Sequence, residues 1–229
     1  MSNKNEIWIL SNNGSGTLAV TQKLTTTDHP GGIAVADLNN DSWPDLIVSN
    51  GYGNDISIFI NQQNAAAPFL TSTPLHYATQ SAAVPQGVPL GLALGRFNND
   101  GYLDIAVANS FTNEVAVFLN DTGLGQGPKF HLAQQVAVGT APQALVAGHF
   151  TSGANIDLAV ANYGDGSNPG SVTILQGSGS GFFSLFKTLT VGVGPTAIAA
   201  DFLDGNPQTD TLADLVTTNY GANTITILR

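Results

Sequence analysis

One pattern recurs four times along this chain and constrains its fold more than any other feature. An apolar, strand-like segment runs into a polar loop closed by aspartate, then into a second apolar segment ending in asparagine. The copies read PGGIAVADLNNDSWPDLIVSN from Pro30, PLGLALGRFNNDGYLDIAVAN from Pro89, PQALVAGHFTSGANIDLAVAN from Pro142 and PTAIAADFLDGNPQTDTLADLVTTN from Pro195. The closing aspartates Asp45, Asp104, Asp157 and Asp214 stand 59, 53 and 57 residues apart. Each is followed five positions later by an asparagine: Asn50, Asn109, Asn162 and Asn219. A period of this length signals stacked supersecondary units, none of which can bury its apolar face alone.

Each repeat carries about four strand signals. The first is small and apolar (Gly32 to Ala36, Gly91 to Leu94, Ala144 to Ala147, Ala197 to Ala200), and the second begins at the closing aspartate. The third alternates in character, as in DISIFIN, EVAVFLN, SVTILQG and TITILR; the fourth is more polar. Period-two alternation broken by Gly, Asn and Pro marks antiparallel strands joined by hairpins. First strands of Gly and Ala suit a crowded axis, and fourth strands with Lys, Gln and His suit a wet rim. Radial repetition is one way an all-β chain protects its sheet edges. The expectation is an all-β fold, a β-propeller of four-stranded antiparallel blades forming one domain over 1–229. Its repeats fall at about 30–88, 89–141, 142–194 and 195–229, the last completed by 5–29. The N-terminal NEIWIL matches the third strands, so five third strands face four of every other kind. That surplus leaves three readings open, a displaced copy, a chain cut from a longer array or copies associating edge to edge; incomplete closure is favoured, and a homo-oligomer formed through it is one outcome.

Composition excludes several classes of partner. The net charge is −10, from six basic and sixteen acidic residues. A nucleic-acid surface needs clustered Lys and Arg to displace phosphate counterions, and six scattered residues cannot supply one. There is no cysteine, hence no disulfide framework and no thiolate ligand or nucleophile. No stretch approaches the roughly 20 apolar residues of a membrane span. The opening MSNKNEIWIL is too short in apolar run for a signal peptide. An extracellular or cell-surface setting is expected, with any export signal removed or lying outside this chain.

The polar loops carry the chemistry. In the first, Asp37, Asn39, Asp41 and Asp45 occupy positions 1, 3, 5 and 9, and the Trp43 carbonyl sits at position 7. Calcium takes six to eight hard oxygens, and short loops wrap it with alternate residues plus a backbone carbonyl. Three carboxylates against one divalent ion leave a local charge near −1. The competing reading is an Asx-rich turn capping its own amides, which does not account for the distant Asp45. The second loop keeps Asn98, Asp100 and Asp104 but places Arg96 at position 1, where the guanidinium repels a cation or bridges the acceptors in its stead. The third keeps only Asp157, and no metal is expected there. The fourth is longer, with Asp201, Asp210 and Asp214 as candidate ligands across an insertion.

These loops resemble the FG-GAP repeat, also called the VCBS repeat, of integrin α-subunit head domains and many bacterial surface proteins. Its usual form is a small-residue strand, then DxNxDGxxDL, then an apolar strand, and four copies cover essentially the whole chain. The resemblance implies a propeller with calcium in the hairpin joining the first two strands of a blade, where it rigidifies the loop. The leading functional expectation is a non-catalytic calcium-binding scaffold for protein or ligand interaction and adhesion. A carbohydrate-binding propeller is the alternative, suggested by Trp8, Trp43, Tyr52, Tyr102, Tyr163 and Tyr220. A hydrolase or lyase with a site on the axial face ranks below both, since no GxSxG elbow or catalytic grouping stands out. The run Gly123-Leu124-Gly125-Gln126-Gly127 mimics a dinucleotide fingerprint, but Pro128 and strand-like residues follow where a helix is required.

Overall fold

Wherever the period-two pattern breaks at Gly, Asn or Pro, the chain turns back on itself. The result is seventeen strands and no α-helix among the described residues. The computed structural model describes residues 5–64, 67–69, 74–80, 87–122, 129–203 and 212–229. Strands β1 (Glu6–Asn12) and β2 (Leu18–Thr25) form a hairpin of their own. The first blade comprises β3 (Pro30–Ala36), β4 (Asp45–Asn50), β5 (Asp55–Phe59) and β6 (Leu75–Ala78), hydrogen-bonded in that order. The second comprises β7 (Pro89–Gly95), β8 (Asp104–Asn109), β9 (Glu114–Asn120) and β10 (Phe130–Ala137). The third comprises β11 (Pro142–Gly148), β12 (Asp157–Asn162), β13 (Pro169–Gly177) and β14 (Phe183–Val193). The fourth has three strands, β15 (Pro195–Asp201), β16 (Asp214–Asn219) and β17 (Thr224–Leu228). Every pair is antiparallel. The propeller of four antiparallel blades is borne out, and the strands of residues 5–29 pair with each other rather than with β17.

The first strands β3, β7, β11 and β15 lie side by side in that order, as their small residues require. A Cβ on Gly91 would stand 2.7 Å from the Ala144 Cα and 2.8 Å from the Gln143 carbonyl oxygen of the next blade. At Gly32 the Leu90 carbonyl oxygen presses in the same way. Only glycine lets two backbones approach this closely.

Because side chains alternate across a strand, each central strand feeds two interfaces. Leu46, Val48 and Phe59 of the first blade pack against Leu24, Ile7 and Ile9 of the N-terminal hairpin. Ile47, Ile56 and Ile58 turn the other way and meet Ile105, Val107, Ala116 and Phe118 of the second blade. Val115, Val117 and Ala106 then meet Leu158, Val160 and Leu175 of the third. Ala159, Val172 and Ile174 meet Leu215, Ile198 and Leu228 of the fourth. Fully burying one such side chain contributes on the order of 1.5–3 kcal/mol, so these layers hold the array together.

The repeated asparagines Asn50, Asn109, Asn162 and Asn219 are buried at the strand ends away from the polar loops. Asn50 Nδ2 donates to Asp55 Oδ1 (2.7 Å) and Ser57 Oγ (2.9 Å) of its own blade. Asn109 Nδ2 instead donates to the Thr79 carbonyl of the preceding blade (3.0 Å).

Candidate metal centre

The first inner hairpin is wound by two residues in the left-handed region, Asn40 (φ 57°) and Ser42 (φ 71°). Asparagine tolerates that region, whereas Ser42 takes a place better suited to glycine. The winding gathers oxygens. The Asp41 amide donates to both Asp37 Oδ1 and Asn39 Oδ1, each at 3.1 Å. The Ser42 amide donates to Asp37 Oδ2 at 2.7 Å, and the Trp43 amide to Asp41 Oδ1 at 2.8 Å. Asp41 Oδ2 accepts from Asn39 Nδ2 (3.0 Å) and Gln63 Nε2 (3.2 Å). Desolvation works to raise the Asp41 carboxyl, but the Trp43 amide and the Gln63 and Asn39 side chains outweigh it and hold it low. Trp43 itself stands exposed.

Asp45 is fully buried and differently employed. Its Oδ2 accepts the Leu38 amide (2.9 Å) and its Oδ1 the Asn61 amide (2.8 Å). Burial raises its carboxyl, the two amides oppose this, and the charges of Asp41 and Asp37 add to the rise. One carboxylate thus ties the loop to the end of the third strand, a role that sequence reasoning missed. Only a repeated residue type hinted at it. Asn61, two residues past the end of β5, and Asn120, the last residue of β9, donate from Nδ2 to the carbonyls of Pro44 and Leu103, each at 3.0 Å.

The tie repeats. Asp104 accepts from the amides of Phe97 (2.7 Å) and Asn120 (2.9 Å). Asp157 accepts from those of Phe150 (3.0 Å), Thr151 (2.8 Å) and Gly177 (3.0 Å). Asp214, also buried, accepts the Leu203 amide at 2.9 Å. Burial dominates at Asp104, against the opposing amides, and pushes its carboxyl up to about 6.

The second loop winds like the first, with Asn99 (φ 60°) and Gly101 (φ 90°) left-handed. Asn98 Nδ2 donates to Asp100 Oδ2 (2.8 Å), and the Tyr102 amide to Asp100 Oδ1 (2.9 Å). Arg96 is exposed, and no ion pair ties it to the loop carboxylates, so the expected guanidinium bridge does not form. In the fourth loop Asp201 is exposed, pairs in register with Asp214, and accepts the Phe202 amide at 2.8 Å. Asp210 lies outside the described residues.

The structure therefore brings Asp37, Asn39 and Asp41 together and commits Asp45 to backbone amides. Among the described residues no three acidic, imidazole or thiol side chains form a ready metal-holding group. A calcium ion would draw on the amide oxygen of Asn39 and a backbone carbonyl as well as on carboxylates. The oxygens gathered in the first loop are of that hard, mixed kind.

Known proteins share this repeat and this architecture. A model of the FG-GAP-like repeat matches residues 1–48, which include the first polar loop. Integrin alpha-3 of Mus musculus and of Cricetulus griseus are 32% identical over 131 residues, 52% of this chain and 12% of theirs. Integrin alpha-7 of Homo sapiens is 36% identical over 95 residues, 38% of this chain and 8% of its own. The chain thus spans about an eighth or less of the curated relatives it matches. Among solved structures, the periplasmic gluconolactonase of Pseudomonas aeruginosa superposes with a TM-score of 0.68 at 18% identity, over 97% of this chain and 58% of that one. A candidate 6-phosphogluconolactonase of Bacteroides fragilis gives 0.68 at 19%, over 97% and 60%.

At such identity these superpositions carry the fold alone, but they correct the expectation of a non-catalytic scaffold. That expectation, with sugar binding as its alternative, leant on the lack of any recognisable catalytic grouping in the sequence. Propellers into which nearly all of this chain fits bear the names of hydrolases. No helix among the described residues is long and apolar enough to cross a membrane. The chain folds as a β-propeller, and its loop pattern, the model matched over residues 1–48 and the integrin relatives make it similar to FG-GAP-like repeat proteins.

Proposed function

We propose that the Asp37–Asp45 loop binds one calcium ion and that the ion stiffens the hairpin between the first two strands of the first blade. Asp37, Asn39 and Asp41 would hold it through side-chain oxygens and Trp43 through its carbonyl, with Asp45 completing the charge from below. The observation that carries this reading is the Asp41 amide shared between Asp37 Oδ1 and Asn39 Oδ1, each at 3.1 Å, inside a loop wound by left-handed residues 40 and 42. Bound calcium supplies positive charge where three acidic residues crowd, and nothing more is asked of it. Extracellular modules bind calcium with affinities of about 10⁻⁴–10⁻³ M, which points to a setting outside the cell. At millimolar calcium such a site adds about 1 kcal/mol of stability by mass action. The test is thermal unfolding of the protein and of Asp41→Ala, each with calcium and with chelator. The variant should lose about 1 kcal/mol more in calcium than in chelator, where it loses only the hydrogen bonds that Asp41 accepts within the loop. Equal losses in both conditions would remove the metal.

A second reading is hydrolysis of a sugar-acid lactone, favoured by the gluconolactonase names of the propellers on which nearly the whole chain superposes. The decisive assay is acid release from glucono-1,5-lactone. A rate no faster than the spontaneous one would end this reading and leave the calcium proposal untouched.

A further inference from the structure

The polar loops are fastened to one another across the blade junctions. In the first loop the Leu38 carbonyl accepts Asn120 Nδ2 of the second blade at 2.8 Å, a buried bond. Asn40, at the left-handed fourth position of that loop, donates from Nδ2 to the Gly101 carbonyl of the second loop at 3.4 Å. The next junction repeats the plan with other groups. The Phe97 carbonyl, which matches Leu38, accepts the Gly181 amide of the third blade at 2.9 Å. Asn99, which matches Asn40, donates to the Gly179 carbonyl at 3.1 Å.

Asn120 joins more partners than any other of these groups. Its Nδ2 also donates to the Leu103 carbonyl, its main-chain amide to Asp104 Oδ1, and its Oδ1 accepts the Thr122 amide at 3.0 Å. It is 1% exposed. One buried residue thus holds a carbonyl of the first loop and the carboxylate tie of the second blade together. The second loop needs outside support more than the first. Arg96 replaces Asp37 there, so the bonds that Asp37 accepts from the amides of Asp41 and Ser42 have no counterpart.

We infer, on the calcium reading of the first loop, that Asn120 and Asn40 pass the order of that loop to the second, so that calcium bound in the one also stiffens the other. In a repeat array each unit is stabilised chiefly by its nearest neighbours. When the first loop opens, the Leu38 carbonyl leaves Asn120 and the Asn40 side chain leaves Gly101. Bound calcium opposes that opening, as any ligand of the closed form does. It therefore opposes the part of the second loop's loosening that shares the same event. The third loop lies outside this route, because Asn99 reaches the turn between β13 and β14 and not the loop before β12.

The test is hydrogen exchange of the whole protein, read by mass spectrometry in millimolar calcium and in chelator. In the parent, calcium should slow exchange about fivefold over residues 37–45, the factor that millimolar ion gives a site of extracellular affinity. Over residues 97–103 the slowing should be at least about twofold, because their opening is shared only in part. Residues 150–157 should not respond. Asn40→Gly keeps the left-handed winding and removes the reaching amide; Asn40 is exposed, so the fold should persist. Asn120→Ala removes the buried bond and leaves the main-chain amide on Asp104, and circular dichroism checks its fold. Each variant should weaken the response of residues 97–103, and the two together should abolish it while residues 37–45 still respond. A parent in which calcium slows the first loop and leaves the second unchanged would overturn the proposal. So would a second loop that responds fully in every variant. Calcium that slows neither loop would end the calcium reading itself, and this inference with it.

Discussion

The first and third inner hairpins share one residue and almost nothing else in their loops. The first has Asp37, Asn39 and Asp41 wound into a cluster of oxygens, while the third has His149, Thr151 and Gly153 at the same positions. Yet Asp157 accepts three backbone amides just as Asp45 accepts two, and both are fully buried. The aspartate that looked like the last ligand of a metal loop is thus a tie between loop and third strand, and it outlasts the loss of every other candidate ligand. Metal chemistry, where it occurs, is added to a hairpin that stands without it.

The harshest trial of this contrast is Asp157→Ala. It strands three amides in a buried site, and at 1–3 kcal/mol for each unmade hydrogen bond we expect a loss of about 4 kcal/mol. Urea unfolding should give the same loss in calcium and in chelator, and a loss within a few tenths of a kcal/mol would break the comparison. Next comes acid. Asp104 titrates near 6 when folded, above the ordinary carboxylate range, mainly because it is buried. Between about pH 4 and 6 the folded protein binds more protons than the unfolded chain, so stability falls as pH rises through that window. Moving from pH 7 to pH 4.5 should therefore add about 2 kcal/mol from this group, and Asp104→Asn should flatten the profile. Stability that drops steadily over the same range would show that Asp104 ionises normally. The gentlest trial is Arg96→Asp, which supplies the missing position-1 carboxylate in a loop already wound by Asn99 and Gly101. It should create calcium-dependent stabilisation of about 1 kcal/mol, seen as a thermal shift that chelator abolishes.

Much of the fold was legible because period, spacing and residue size all pointed one way. The second strands begin at the four closing aspartates, where the pattern put them, and the first strands begin two residues earlier than read, at Pro30, Pro89, Pro142 and Pro195. The surplus third strand was legible too, although residues 5–29, expected to complete the last repeat, pair with each other. The carboxylate tie was harder to read, because its donors are main-chain amides, which every residue carries and no side-chain spacing reveals. Only Asn61 and Asn120 hinted at a structured strand end, and Gly177 gives no such hint in the third blade. The Arg96 bridge failed for a similar reason: residue types allowed it, and the direction of an exposed side chain is not written in the pattern.

The glycines at the hub have one more consequence. The first two junctions between blades place Gly32 and Gly91 directly on neighbouring main chain, but the matching residue at the third junction is Ala144. Two joints are therefore shut as tightly as polypeptide permits, and the third carries a methyl group at the matching position. A blade is four strands deep, each step about 4.8 Å, so a small wedge at the pivot swings the outer rim through a larger distance. Ala144→Gly would make the third junction like the first two, and whether the last two blades then draw closer is the question it puts.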